Sequence, residues 1–362
     1  MKLNILHITP DFNYACGRSY YVFLLLKYFQ KKHRVHMITN GGDSFDRLEE
    51  RSISYSIIKG LKSKNPLKIA SNISQIRNYI RENDVNIVHT HHRLAELLGV
   101  QAAGYSGRRP RTIFTSLSIV KRRYNIEFKS SHIIAVSNSV KNMLTGKFNI
   151  SENRISMIPN FTDTNEIHEL ELVLPYTRDH DRFFNILAVG RFHHEKNFET
   201  LLRALSFLDD NSIKLILVGD GSRDIDYKKY IAKNNLNVEI IVPQKNLLQY
   251  FMLADICVLP SERDPFPNFM LQAGLHKRAF IGANVDGIGE LIRNEVNGLL
   301  FEAGNASELA DKIKQLKTNT LLRKKCAENL HKDVLNNYTQ EFIVPKVEHL
   351  YRHILSTQRT GK

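Results

Sequence analysis

Residues 253–274 read LADICVLPSERDPFPNFMLQAG. Ile256 to Leu259 is a short apolar run without polar alternation, so it predicts a strand covered on both faces. Apolar residues return at helical spacing over 268–276, and Pro265 and Pro267 set the direction of the chain into that helix. A buried strand leading directly into a helix is half of a parallel β/α unit. The connecting loop carries Glu262, Arg263 and Asp264, and the helix adds Asn268 and Gln272, while their neighbours are as apolar as a core. The loop is therefore either a charged surface turn or the rim of a site that holds something polar.

The same unit recurs in both directions along the chain. Strands are expected at Leu3–Ile8, Val35–Thr39, Ile53–Ile57, Ile87–His91, Thr112–Thr115 and Ile133–Val136. A second series follows at Asn185–Val189, Lys214–Val218, Val238–Val242, Ile256–Leu259 and Ala279–Gly282. Helix-period stretches lie between them, at 17–31, 69–82, 197–208, 226–235, 268–276 and 306–318. Two such series predict an α/β protein with two Rossmann-like parallel-sheet domains. The boundary is expected in the charged, aperiodic stretch NEIHELELVLPYTRDHDRF (165–183). That gives a first domain at 1–168 and a second at 169–338, with a terminal helix at about 339–357 packing back onto the first. Ligands of open parallel sheets sit beyond the carboxyl ends of the strands, so two facing domains would enclose an interdomain cleft.

Composition agrees with this. The chain has 362 residues, 42% hydrophobic and 24% charged, too long for one core and ordinary for a globular protein. Cys16, Cys257 and Cys326 show no metal or disulfide spacing and suit reduced thiols in a cytoplasm. The start, MKLNILHITPDF, reads as no signal peptide, and no apolar run approaches a bilayer span. Of the net charge of +14, residues 1–180 hold 26 Lys/Arg against 15 Asp/Glu, a net of +11. Residues 181–362 hold 25 against 22, a net of +3. A basic first half suits an anionic partner, or it simply solvates helix faces. Nucleic acid is not expected, since no basic-aromatic interleaving or reading motif accompanies the charge.

Three strand-end loops of the second domain are chemically loaded. In VGRFHHEKN (189–197), Arg191 and Lys196 flank a turn into a helix. Two cations at a helix N-terminus suit a diphosphate, with Arg as a planar fork and Lys as a point charge. The alternative is a basic surface turn. In LVGDGSR (217–223), Gly219 and Gly221 are tight-turn residues that let backbone approach a ligand or a helix. After Pro267, the amides of Asn268 and Phe269 would point out of the first helical turn, and Gln272 one turn on could reach sugar or ribose hydroxyls. DGIGELIRNEVNGLLF (286–301) contains a turn into a strand and is assigned no chemistry.

In the first domain, Gly17 opens a helix whose N-terminus could accept the far phosphate of a ligand. HTHH (89–92) directs His89 and His91 to one face. No matching acid and histidine set follows, so no metal site is expected; His91 either bonds a substrate hydroxyl or is a structural histidine.

Together these segments resemble family 4 glycosyltransferases, the retaining GT-B enzymes. The resemblance runs from about residue 3 to 310. It rests on Cys16-Gly17, DVNIVHTHH (84–92), IIAVSNSVKNMLTGKFNISENRISMIPNFTD (133–163), VGRFHHEKNFETLLRAL (189–205), LILVGDGS (215–222), the opening stretch, and VDGIGELIRNEVNGLLF (285–301), in that order and spacing. It implies a GT-B fold and a nucleotide-sugar, commonly a UDP-sugar, in the second domain. Gly17, Arg191, Lys196, Gly219, Asp264, Pro267, Asn268, Phe269 and Gln272 would bind that donor. The acceptor, a saccharide or lipid-linked saccharide, would meet His91, Arg18 and Asn160 of the first domain. Arg191 and Lys196 match the family's diphosphate pair, and Arg191, Lys196, Asp264 and His91 are the expected catalytic groups. The family's two glutamates fall on Asp264 and Gln272. Asp264 is one methylene short, with Glu262 as a substitute if the loop is shifted; Gln272 keeps hydrogen bonding without charge.

The resemblance further implies that cations and helix amides stabilise the departing diphosphate without a metal. No cofactor is expected. The activity implied is transfer of a hexose or N-acetylhexosamine in bacterial surface polysaccharide or glycolipid synthesis, in the cytoplasm or on the inner face of the plasma membrane. There Lys27, Lys31, Lys32, Arg34, Arg108, Arg109, Arg111, Lys121, Arg122 and Arg123 would meet anionic head groups. SLSIVKRRYNIEF (116–128) mixes apolar and basic residues as a membrane-lying segment would. The alternative, prompted by positions 264 and 272, is a catalytically silent GT-B protein binding a nucleotide-sugar or glycan as a partner subunit. A sugar epimerase would need cleft carboxylates that the glutamine at 272 withholds.

Overall fold

The computed structural model of the chain describes residues 2–122, 127–168 and 183–357. Two compact units result, Met1–Asn160 with Gln340–Lys362, and Phe161–Thr339. The division precedes the expected residue 168 because the chain already enters the second unit at Phe161, which is fully buried. Thr162 then donates its N–H to the Tyr338 carbonyl at 2.9 Å. The remainder of the expected boundary, 169–182, lies outside the described residues.

The first unit holds one parallel sheet of β1 (Asn4–Thr9), β2 (Arg34–Thr39), β3 (Ser54–Ile57), β4 (Ile87–Thr90), β5 (Arg111–Ser116), β6 (His132–Ala135) and β7 (Ile155–Met157). The spatial order is β3-β2-β1-β4-β5-β6-β7. The chain thus builds outward from β1 on one side, then returns to add β4 on the other. That reversal is a topological switch point, where loops after β1 and β4 diverge and leave room for a ligand. In register, Ile5 and Ile8 of β1 lie beside Ile87 and Thr90 of β4. Leu6, Ile8 and Val88 pack with Ile76, Ile80, Leu98 and Ala102 from helices Pro66–Glu82 and Arg93–Tyr105. Gly99 permits this approach: a Cβ there would lie 2.8 Å from Thr90 Cγ2. The C-terminal helix Gln340–Ser356 belongs to this unit. It sets Tyr351, fully buried, against Phe29 with ring centroids 5.2 Å apart.

The second unit repeats the plan with β8 (Phe184–Val189), β9 (Ile213–Val218), β10 (Val238–Ile241), β11 (Ile256–Leu259), β12 (Ala279–Ala283) and β13 (Leu299–Phe301). Its order is β10-β9-β8-β11-β12-β13, again all parallel, with the switch point between β8 and β11. The opening stretch is confirmed as a β/α unit: β11 is followed by helix Asn268–Leu275.

Several elements were not expected, and three of them show why. β7 is a three-residue edge strand with no fully buried position, too short to show a pattern. Helix Arg93–Tyr105 buries mainly small residues, Ala95, Gly99, Ala102 and Ala103, so its apolar stripe is faint. Helix Thr320–Asn337 buries only Cys326, Ala327, Leu330 and Val334, with most of its surface polar. No helix among the described residues is long and apolar enough to cross a membrane.

Candidate active site

At the switch point of the second unit, the chain leaves β8 through Gly190 and Arg191. Phe192 turns inward, fully buried, and meets Phe198 and Tyr227 edge-on. A short 3-10 turn, His194–Lys196, follows, then Asn197 in the left-handed region (φ 45°), then helix Phe198–Leu208. This route leaves Arg191 exposed, without an ion pair among the described residues. It lays the Lys196 stem against Gly190, where a Cβ would lie 3.5 Å from Lys196 Cε.

Across the switch point, the loop after β11 brings Asp264 to Lys196. The Lys196 ammonium donates to Asp264 Oδ2 at 2.5 Å. The Asp264 side chain is 9% exposed and that of Lys196 27%, so the pair is only partly screened by water. Lys196 has three N–H donors, and two remain for an anionic ligand. Glu262 does not substitute for Asp264. Its N–H donates to the Glu195 carbonyl at 2.9 Å, and its carboxylate accepts from Asn197 Nδ2 at 3.1 Å. Asp264, the shorter acid, is the one that reaches the lysine.

Pro267, in extended conformation, delivers the chain into helix Asn268–Leu275, which has no side-chain cap and no acid in its first turn. An uncapped first turn presents N–H groups and the positive end of the helix dipole. Phe269 can offer a ligand only its backbone, because its ring is buried beside Phe251 and Phe280. Gln272 is half-buried on the same helix.

Gly219 and Gly221 are needed for packing. A Cβ at Gly219 would lie 2.0 Å from the Gly190 carbonyl oxygen, and the Gly219 N–H already donates to Ile241 at 2.8 Å. The β8 loop thus closes the Cβ side of Gly219, and only a glycine permits that packing. Gly221 (φ 146°) lies similarly against the Phe192 carbonyl.

The first unit gathers a different set. Arg18, one residue into helix Gly17–Phe29, pairs with Asp11 and donates from Nε to Thr9 Oγ1 at 3.2 Å. Lys62 joins Asp11 at 2.6 Å. Burial raises the Asp11 pKa, but the two cations outweigh it and hold the carboxyl below its usual range. Asn160, the last residue of this segment, is 7% exposed.

His91 is not presented to an open face. It is 2% exposed, and its Nε2 lies 3.0 Å from His7 Nδ1. His89 contacts the Tyr351 hydroxyl through Nδ1 and Thr115 Oγ1 through Nε2, each at 2.6 Å. Burial lowers the His7 pKa to about 3 and drives His89 and His91 well below the ordinary value. The structure encloses His91 rather than presenting it on an open face, and its Nδ1 is left without a hydrogen bond among the described residues. The ligand atoms of His7, His89 and His91 lie within 4.8 Å of one another, the one such cluster of three among the described residues. No carboxylate is among them, and four of their six nitrogens already bond within the protein, so the cluster is arranged as neutral hydrogen-bonded imidazoles.

Sequence reasoning had missed His7, Asp11, Lys62 and Asp286. Asp286 opened a segment assigned no chemistry, yet its carboxylate accepts from the Asp264 N–H at 3.0 Å. Of the basic residues assigned to a membrane face, Lys32 meets Glu348 (3.7 Å) and Arg108 meets Asp84 (2.6 Å). Arg111 Nε donates to the Ile354 carbonyl at 3.1 Å. Arg123 and residues 124–126 of the 116–128 segment lie outside the described residues.

Known proteins share this plan. Residues 17–166 match the family described as Glycosyltransferase Family 4, and residues 178–333 that described as Glycosyl transferases group 1. An uncharacterized glycosyltransferase of Methanocaldococcus jannaschii is 24% identical over 97% of this chain and 99% of its own length. The Staphylococcus aureus capsular polysaccharide biosynthesis glycosyltransferase CapM is 24% identical over 63% of each chain. Among solved structures, a glycosyltransferase from Rickettsia africae superposes with a TM-score of 0.83 at 25% identity, covering 98% of this chain and 99% of that one. Anabaena HepE, crystallised with UDP-glucose, gives 0.81 at 18% identity, covering 98% and 100%. The chain belongs to the family 4 glycosyltransferases and has the GT-B fold.

Proposed function

We propose that this glycosyltransferase moves a hexose or N-acetylhexosamine from a UDP-sugar to a saccharide or lipid-linked saccharide acceptor, with retention of configuration and without a metal. The observation that carries the reading is the Lys196–Asp264 pair at the β8/β11 switch point, beside the uncapped helix at Asn268. In that arrangement Lys196 and Arg191 neutralise the diphosphate, and helix amides accept the charge that grows as the sugar–phosphate bond breaks. Lys196, held by Asp264, and the helix amides are fixed before reaction, so their orientation need not change in the transition state. Gln272 hydrogen-bonds ribose or sugar hydroxyls in place of a carboxylate.

Support for the nucleotide comes from HepE, whose structures hold UDP-glucose and UDP. Support for a surface-polymer pathway comes from CapM and from a Rhizobium meliloti lipopolysaccharide core glycosyltransferase, 25% identical over 44% of this chain. A Campylobacter jejuni relative, 23% identical over 66% of the chain, carries a diphospho-undecaprenol acceptor in its name. The test is a thermal-shift screen of UDP- and GDP-sugars, followed by detection of released nucleoside diphosphate with a chelator present. Stabilisation by UDP-sugars and chelator-insensitive release with the α-anomer as product are expected. Stabilisation without release under any acceptor would turn the reading toward a silent binding subunit.

For a lipid-linked acceptor, the exposed Lys31, Arg34, Arg109, Lys121 and Arg122 hold the first unit on anionic head groups. At low salt the protein should sediment with phosphatidylglycerol-containing vesicles and stay in solution with pure phosphatidylcholine. Equal binding to both would remove the electrostatic argument.

A further inference from the structure

We propose that Asp286 is a positioning residue for the donor site: it holds the Asp264 backbone so that the Asp264 carboxylate keeps Lys196 in place for the diphosphate. Three observations converge on it. First, Asp286 adopts φ 40°, a left-handed conformation that disfavours any residue carrying a Cβ. Second, its carboxylate accepts from the Asp264 N–H at 3.0 Å and from no other described residue. Third, the next residue completes the grip, since the Gly287 N–H donates to the Asp264 carbonyl at 3.1 Å. Both polar backbone groups of Asp264 are thus held by two adjacent residues at the start of helix Asp286–Leu291.

The contact is as close as backbones allow. A Cβ on Gly287 would fall 1.9 Å from the Pro265 carbonyl oxygen. Burial also raises the Asp286 pKa, so its charge is kept in a half-buried place against the preference of solvation. A glycine at 286 would take the same φ without strain and bury no charge. The aspartate adds one thing that glycine lacks, an acceptor aimed at Asp264. Local stability therefore favours glycine, and the donor site favours aspartate.

This inference rests on Lys196 and Asp264 belonging to the donor site, and the experiment separates the two. UDP, with GDP in parallel, is titrated calorimetrically into wild type, D286N, D286G and K196A, and into D286N and D286G each combined with K196A. Melting temperatures are recorded for all. D286N and D286G remove the same charge, but only asparagine retains an acceptor oxygen. D286N should bind UDP about as wild type does, and D286G about fivefold more weakly than D286N, the scale of coupling between contacting residues. D286G should nonetheless melt no lower than D286N, because the left-handed strain is gone. In the K196A background the difference between the two should vanish, since Asp286 acts through the lysine.

Equal affinities of D286G and D286N, or a difference that survives K196A, would overturn the positioning role while leaving the donor site intact. A D286G that loses affinity only in proportion to a lower melting temperature would reduce Asp286 to a structural residue. If K196A itself binds both nucleotides as tightly as wild type, the donor-site reading falls and takes this inference with it.

Discussion

Replacing Lys196 by alanine tests the site most directly. In the structure the ammonium sits 2.5 Å from an Asp264 side chain that is 9% exposed. The substitution therefore has two separable effects. It leaves a nearly buried carboxylate without its counter-charge, which destabilises the fold by about 1–3 kcal/mol, the usual cost of orphaning such a group. That cost should appear as a fall of a few degrees in the melting temperature of the second unit, at roughly 1 kcal/mol per 2–4 °C for a unit of this size. The second effect is on ligand. A charge-assisted hydrogen bond to phosphate contributes about 1.5–3 kcal/mol, so UDP should bind K196A about 10–150-fold more weakly. The lysine is 27% exposed, which argues for the lower part of that range and for a difference that shrinks as salt is raised. Calorimetric titration of UDP at two salt concentrations reads the affinity, and calorimetric melting reads the stability. If K196A melted lower but bound UDP within about threefold of wild type, below the weakest of these contacts, the lysine would be a structural partner of Asp264 and nothing more.

Gly219→Ala would place a Cβ 2.0 Å from the Gly190 carbonyl oxygen, so the β8 and β9 loops must separate. A loss of about 1–3 kcal/mol is expected, and a variant melting like wild type would show that the loops are not interlocked. Tyr351→Phe removes the hydroxyl that His89 contacts at 2.6 Å. It should destabilise the first unit by about 1–3 kcal/mol while leaving UDP affinity unchanged, as titration would verify. The three buried histidines predict an acid-sensitive first unit. Their folded pKa values lie below the ordinary 6.5, about 3 for His7, so the unfolded chain binds protons that the folded one refuses. Their stabilisation is complete above pH 6.5 and is lost progressively as pH falls toward about 3. Melting temperature measured across that interval should decline throughout, and a flat profile would mean the cluster accepts protons while folded.

Much of the fold was legible because parallel strands covered on both faces leave an uninterrupted apolar signal. β11 falls where the opening stretch predicted it, and Ala306–Thr318 is the helix that its periodicity described. Elements held by small residues or by edge pairing were not legible, because glycine and alanine pack closely without raising hydrophobicity. The rule that ligands sit beyond the carboxyl ends of parallel strands pointed to the loops of Lys196 and Asp264, and the family resemblance supplied their expected roles. It could not foresee that Gly219 would be filled by another backbone, nor that His91 would be enclosed by His7, 84 residues away in sequence. Periodicity reports which face a residue takes, while enclosure depends on what a distant segment lays over it.

Position 264 illustrates how a departure from the family pattern can be accommodated. An aspartate where the resemblance puts a glutamate shortens the side chain by one methylene, and reach must then come from the backbone. Here the loop is brought in on two sides. The Glu262 N–H bonds the Glu195 carbonyl next to Lys196, and Asp286 with Gly287 holds the Asp264 peptide from the other side. The result is an ion pair at 2.5 Å despite the shorter acid. A longer side chain on the same backbone would have to fold back or displace the lysine. The D264E substitution is therefore expected to lower UDP affinity rather than restore a better site, and titration of that variant against wild type would decide it. Tighter binding by D264E would mean that the loop is placed too far from Lys196, and that the aspartate is a weakness of the site instead of part of its fit.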